Sequence, residues 1–282
     1  MIVAAHNEEA VIGRTLDALR AQQGEYEIIV SANGCTDETV AVAGSRGVRV
    51  VDRRAPGKAA ALNAADRIAR GFPRAYVDAD IVLPAGAFTT IAAVFAARPE
   101  VLAVVPRRVL NTVGRPWPVR SYAAINSRLP VFRAGLFGRG VIVLSEEGRK
   151  RFAEFPPLIS DDLFLDAQFV ESEKAEAQGV EVVVETPLTT RALITRLVRV
   201  RRGNAQLRAA SADGQIEGAV RESNRSAWLW VVVRDPRLIP AAVPYVAITL
   251  MAAVRARRDR QSSAWERDDS TRNRAETTET VK

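Results

Sequence analysis

The chain reads as an α/β protein: a mostly parallel sheet flanked by helices, with an apolar helical segment near its C-terminal end. Three observations predict this. Seven short apolar runs lie at 2–5, 27–32, 48–51, 75–77, 101–105, 141–144 and 180–184, and the early ones alternate with helix-length amphipathic segments. Polar clusters follow the strands at once, at 6–9, 33–37 and 78–80. Right-handed crossovers carry such loops to one sheet edge, where α/β proteins bind ligands. Finally, 282 residues with 48% hydrophobic and 26% charged side chains are enough for one large or two small cored domains.

Each element has a local reason. The first strand begins almost at Met1, and a helix over 9–22 places Val11, Ile12, Leu16 and Leu19 toward one face. A second helix starts near Thr36, with Asp37 and Glu38 suited to the positive end of its dipole. A third runs over 58–70 after Pro56 and Gly57, and a fourth over 84–98 with Pro84 in its first turn. Arg191, Arg196 and Arg199 mark a basic helical stretch that ends at Arg201-Arg202-Gly203-Asn204. Such a stretch either neutralises a diphosphate or forms a solvated basic face.

Near the end, 238–254 carries no charge, between Arg237 and Arg255. It is shorter than the ~20 residues of a spanning helix, and Pro240 and Pro244 are expected to interrupt it. Trp228 and Trp230 before it, and Arg255, Arg257, Arg258 and Arg260 after it, fit a helix lying in a membrane interface. The alternatives are a core helix packing on the main domain and, last, a true span. Beyond about Gln261 the sequence turns polar and reads as a disordered tail, 261–282.

The scarce residues exclude whole classes of chemistry. One Cys, Cys35, forms no internal disulfide or CxxC pair, and one His, His6, builds no HExxH helix or three-His site. Carboxylates, hydroxyls, Lys and Arg must carry any reaction. Lys plus Arg exceed Asp plus Glu by 40 to 33, giving a net charge of +7 and suggesting an anionic partner. Aromatics are only 6%, too few for the stacking platforms of single-stranded nucleic acid, and no nucleic-acid partner is expected. No basic n-region and h-region open the sequence, so a cytoplasmic location is expected, agreeing with a lone reduced Cys.

Asp78-Ala79-Asp80 closes a strand, and two carboxylates at a strand end suit Mg²⁺ or Mn²⁺ shared with substrate phosphates. Extended geometry through both would point them the same way. Asp161 and Asp162 precede an apolar helix and are either a simple helix start or a general base facing a cleft. Asn33-Gly34 makes a tight turn into a helix, and Pro56-Gly57-Lys58 offers a Lys at a helix N-terminus suited to phosphate. Neither GxxxxGK[ST] nor GxGxxG occurs. His6 has no obvious partner and is expected to line the site, not react.

Together these segments resemble the family 2 glycosyltransferases of the GT-A fold, a Rossmann-type architecture. The resemblance runs in order through about residue 205. Ile2-Val3-Ala4-Ala5-His6-Asn7-Glu8-Glu9 is similar to the family's opening strand and turn. Asn33-Gly34-Cys35-Thr36-Asp37 matches its D-[DN]-G-S-T-D segment, and Gly57 to Asn63 its G-K-x-x-A-L-N segment. Asp78-Ala79-Asp80 matches the DxD, Gly138-Arg139-Gly140 the acceptor-side strand, and Ser160-Asp161-Asp162 the acidic pair.

The resemblance implies inverting, divalent-metal-dependent sugar transfer from a nucleotide diphosphate sugar to a hydroxyl acceptor. That acceptor is a glycan, a lipid-linked molecule or a small molecule. By position, Asp80 and Asp78 would hold Mg²⁺ or Mn²⁺. Ala5, Asn7, Glu8, Asn33, Lys58, Asp78 and Ala79 would line the nucleotide-sugar site. Asp162, or else Asp161, would be the base. The layout would be a transferase domain over 1–235, split into a nucleotide-sugar half (1–100) and an acceptor half (101–235). A membrane-interfacial helix (236–260) would hold it at the inner face of the cell membrane. Asn33 stands where the family commonly has Asp, and the Q-x-x-R-W motif of processive members is missing, which favours single transfers. Two alternatives stay open: a nucleotidyltransferase, and a degenerate transferase domain acting as a membrane-surface binding protein.

Overall fold

In the computed structural model, which describes residues 1–258 except 217, 219, 222, 223 and 225, the apolar runs become strands because they can be buried on both faces. The elements in chain order are β1 (Ile2–Ala5), α1 (Glu9–Arg20), β2 (Ile29–Asn33), α2 (Thr39–Gly44), β3 (Arg49–Arg53), α3 (Lys58–Asp66), β4 (Arg74–Asp78) and α4 (Ala87–Ala97). The second half continues with β5 (Ala103–Asn111), α5 (Trp117–Asn126), α6 (Val131–Ala134), β6 (Val141–Leu144), α7 (Glu146–Arg149), α8 (Asp161–Ala167), β7 (Lys174–Glu185), α9 (Thr190–Ala212), α10 (Ala227–Arg234) and α11 (Ile239–Arg258). The expected tail at 261–282 and Arg260 lie outside the described residues.

The seven strands form one sheet in the order β3-β2-β1-β4-β6-β5-β7. β1 pairs in parallel with β2 and β4, so the polar loops after these strands meet at one edge. Only β6 runs antiparallel to its neighbours, β4 and β5. One face of the sheet packs Val3, Val30 and Val77 against Ile12, Leu16 and Ile91. The other packs Ile2, Ile29 and Tyr76 against Leu62, Phe155 and Phe164. Strand alternation thus divides each strand's side chains between two cores.

A helical lobe of α5, α9, α10 and α11 adds its own apolar clusters, with Val119, Ile194 and Ile248 in one and Ile125, Val231 and Tyr245 in another. Three expectations change here. The segment Pro236–Arg258 is a continuous helical stretch of 23 residues, long and apolar enough by length and composition to cross a membrane. Pro240 falls in the first turn of α11, where its missing N–H costs nothing. Pro244 lies inside the helix but is buried in the lobe, so packing offsets the lost hydrogen bond. Arg201-Arg202-Gly203-Asn204 does not end its helix, because α9 continues to Ala212 with Leu207 buried. The second helix starts at Thr39, not near Thr36, because the Asp37 carboxylate accepts the Thr39 N–H at 3.1 Å.

Candidate active site

The polar loops build one wall of a large cleft. Asn7 adopts φ 53°, a left-handed conformation that Asn tolerates. Its side chain accepts the Thr36 N–H at 2.7 Å and donates to Thr36 Oγ1 at 3.2 Å, which clasps the loop after β1 to the loop after β2. The Glu8 N–H donates to Thr39 Oγ1 at 2.6 Å. Asn33 is buried at 2% exposure, and its amide is fully engaged. Its Nδ2 donates to the Ala5 carbonyl at 2.6 Å, and its Oδ1 accepts the Gly57 N–H at 3.0 Å. His6 Nδ1 lies 2.6 Å from the Asn33 carbonyl. Asn33 therefore positions the Gly57 turn, where φ is 148° and a side chain would be strained.

Lys58 opens α3 directly after that turn. Its Nζ lies 2.8 Å from Asp78 Oδ1 and 2.9 Å from Asp161 Oδ2, joining β4 to α8. Burial opposes the Lys58 charge, but Asp161 and Asp78 outweigh burial and hold the amine protonated. Asp78 ends its strand, with its N–H given to the Gly140 carbonyl at 2.8 Å. Ala79 is buried, and its carbonyl accepts the Thr15 hydroxyl at 2.7 Å. The strand stops there, so Asp80 sits exposed in a turn and does not follow strand alternation from Asp78. Among the described residues no group of three or more His, Cys, Asp or Glu could hold a metal ion. Asp78 and Asp80 still fit a hard divalent ion that takes its remaining oxygens from phosphates and water.

Asp161 and Asp162 occupy the first turn of α8. They differ in what they touch. Asp161 is committed to Lys58. Asp162 Oδ2 accepts the Gly138 N–H at 3.0 Å, and Oδ1 accepts the Leu163 N–H at 2.8 Å. Burial raises Asp162 to about 6, the Asp161 charge adds to the rise, and Lys58 and the Gly138 N–H act against it. Those conditions suit a general base near neutral pH.

The model of the glycosyl transferase family 2 matches residues 1–143, more than half of the 282. The chain belongs to this family. No curated protein matches this glycosyltransferase in sequence. Its fold is similar to the mannosyltransferase PcManGT from Pyrobaculum calidifontis, in complex with GDP-Man and Mn²⁺. That similarity has a TM-score of 0.62 and 20% identity, covering 92% of this chain and 87% of the other. It is also similar to S. aureus TarS 1–349 in complex with UDP-GlcNAc, with a TM-score of 0.52 and 15% identity over 70% of this chain and 63% of that one. At such identities the likeness shows the fold.

Sequence reasoning missed part of the glycosyltransferase's cleft. Arg108, Tyr122 and Asn126 line it, beside Arg196 of the basic helical stretch that the sequence marks. In β5, Arg107 and Val109 face solvent while Arg108 and Leu110 turn to the cleft, a period-two signal that was present in the sequence. The Arg201–Asn204 segment acts through packing as well as charge. Gly203 lets α9 approach the Ser160 loop so closely that a Cβ there would collide with Ser160 Oγ. Asn204 Oδ1 accepts the Ser160 hydroxyl at 3.1 Å. The loop leading into Asp161 and Asp162 is thus seated on α9.

Proposed function

We propose that this glycosyltransferase catalyses inverting, single-step transfer of a sugar from a nucleotide diphosphate sugar to a hydroxyl acceptor, with Asp162 as the base. The observation that carries this reading is the division of labour at the acidic pair. Asp161 is tied to Lys58, while Asp162 is held by backbone N–H groups with its proton affinity raised toward neutrality.

The acceptor hydroxyl loses its proton to an Asp162 carboxylate oxygen as its own oxygen attacks the anomeric carbon. The attack comes from the face opposite the diphosphate, so the C–O bond to the diphosphate breaks with inversion. Ala5, Asn7, Glu8, Asn33 and Ala79 shape the nucleotide-sugar side, mostly by fixing the loops that carry Lys58 and Asp78. Asp80, exposed in the turn after β4, and Asp78 would hold Mg²⁺ or Mn²⁺. When bound, the ion supplies counter-charge to the leaving diphosphate. Lys58 adds a fixed positive charge beside it.

The same reading places the enzyme at the inner face of a membrane. α11 buries Pro244, Tyr245, Ile248 and Ala252 against the lobe. Its other face exposes Ile239, Val243, Leu250 and Val254, and α10 exposes Trp230 and Val233 beside it. An amphipathic helix flanked by arginines suits an interface better than a full span.

The deciding experiment incubates the full chain with a panel of nucleotide sugars and Mn²⁺ or Mg²⁺ and measures released nucleoside diphosphate. Metal-dependent release, lost in Asp80→Ala, is expected. Undiminished turnover by Asp80→Ala would overturn the metal assignment.

A further inference from the structure

The basic end of the cleft contains a cation without a counter-charge. Three arginines of this region pair with glutamates: Arg107 with Glu181, Arg115 with Glu185 and Arg139 with Glu176. Arg108 has none among the described residues. Its guanidinium stacks over Phe132 at 3.9 Å, and Nη2 donates to Asn126 Oδ1 at 3.2 Å. Arg196 stands nearby, with Nη1 donating to the Glu185 carbonyl at 3.2 Å and no carboxylate partner among the described residues. Burial first, then Arg139 and Arg196, pushes Arg108 down to about 10. Two guanidinium groups held together in a half-buried cleft repel each other unless an anion joins them.

We propose that Arg108 and Arg196 bind a phosphate group of the acceptor. This rests on Asp162 being the base, because position assigns the anion to the acceptor side. Gly138 stands between the two groups: its N–H holds Asp162 Oδ2, and a side chain on it would meet Arg108 Nη1 at 3.3 Å. The acidic end already provides Lys58 for the donor diphosphate, and Asp80 would hold a metal there under the proposed reading. Asp78 and Asp161 surround Lys58 there, whereas Arg108 faces Asn126, Phe132 and Tyr122, all from α5 and α6. A phosphate on the acceptor would seat its hydroxyl beside Asp162 while staying clear of the like-charged donor. Arg suits this task because its planar fork takes two phosphate oxygens at once.

Calorimetric titration of the full chain with inorganic phosphate, without nucleotide or Mn²⁺, tests the site. Arg108→Gln is expected to weaken phosphate about tenfold or more, the loss of one charge-assisted pair. Arg108→Lys should retain part of the binding. GDP and UDP binding with Mn²⁺ should be unchanged in both variants. Arg196→Gln, checked for native circular dichroism, should weaken phosphate in the same direction and serves if Arg108→Gln does not fold. Unchanged phosphate affinity in both Gln variants would overturn the proposal. So would a parallel loss of nucleoside diphosphate binding, which would give the guanidinium to the donor. Phosphatidylcholine vesicles with and without phosphatidic acid separate the sources. Tighter, Arg108-dependent binding to phosphatidic acid than to inorganic phosphate assigns a lipid-carried acceptor, and equal affinity a water-soluble one. Absence of nucleotide-sugar turnover with phosphate binding intact would instead refute the proposed reaction and leave the anion site standing.

Discussion

The acidic and basic ends of the cleft were assembled by different means. At the acidic end, Asp78, Asp80 and Lys58 sit at the ends of elements within the first 80 residues, on loops that a parallel sheet brings together. At the basic end, Arg108 comes from an inner position of β5 and Arg196 from the second turn of a long helix, and neither belongs to a loop motif. The acidic end offsets part of its charge internally, through Lys58 shared by two carboxylates. At the basic end neither Arg108 nor Arg196 has a carboxylate partner among the described residues. Under the proposed reading, the carboxylate charge left over at the acidic end suits a cation, and the arginines at the basic end suit an anion.

The largest test of this contrast is at the junction of the two ends. Asp162→Asn is expected to lower kcat by about 10²–10⁴-fold with nucleotide binding retained, as for loss of a positioned base. Asp161→Asn should act mainly on donor KM by loosening Lys58. Steady-state kinetics distinguishes them, and the reverse pattern would exchange the two roles.

Next in size is Gly203→Ala. The added methyl meets Ser160 and stands 3.1 Å from Ile159 Cβ, so the loop before α8 must move. The cost is about 1–3 kcal/mol by overpacking, read as a lower Tm. Misplacing Asp162 should lower kcat by about tenfold or more. Wild-type kcat in a folded Gly203→Ala protein would show that α9 does not position the base.

The pH profile refines the assignment further. With Asp162 near 6, kcat should fall below that pH and level off above it. The linkage has a definite sign. Burial raises the native pKa above the ordinary carboxylate value, so between about 4 and 6 the native state binds more protons than the unfolded one. Stability present at lower pH is therefore lost as pH rises through 6. Asp162→Asn should be more stable than wild type at pH 7 by about 3 kcal/mol at most, with the gain largely gone near pH 4. Denaturant melts at the two pH values check this.

The smallest effect on catalysis belongs to the outer face of the lobe. Val243 is 72% exposed on α11. Val243→Asp should leave turnover of a soluble acceptor unchanged and reduce flotation with anionic vesicles. Equal flotation of variant and wild type would remove α11 from the proposed membrane surface.

Much of the fold was legible because its signals are local. β1, β6 and the starts of α1 and α3 fall where apolar runs, amphipathic spacing and the Gly57 turn require. The loop motifs could be placed at one edge because crossover handedness leaves few alternatives. Asn33 was harder to read. Its residue type suggested contact with the nucleotide, yet its amide spans Ala5 and Gly57, contacts that a linear motif does not reveal. The continuity of α11 through Pro244 was equally hidden, since it depends on burial against α5 and α9.

By itself the sequence determined the α/β class, the order of the strands along the chain and the chemistry available: carboxylates and cations, with one His and one Cys to spare. These follow from periodicity and composition, which any segment carries alone. Tertiary structure decided which member of the acidic pair meets Lys58, which one receives the Gly138 N–H, and that Arg108 and Arg196 have no carboxylate partner among the described residues. Proton affinity and ion pairing depend on distance and burial across the fold, and residues far apart in sequence set both.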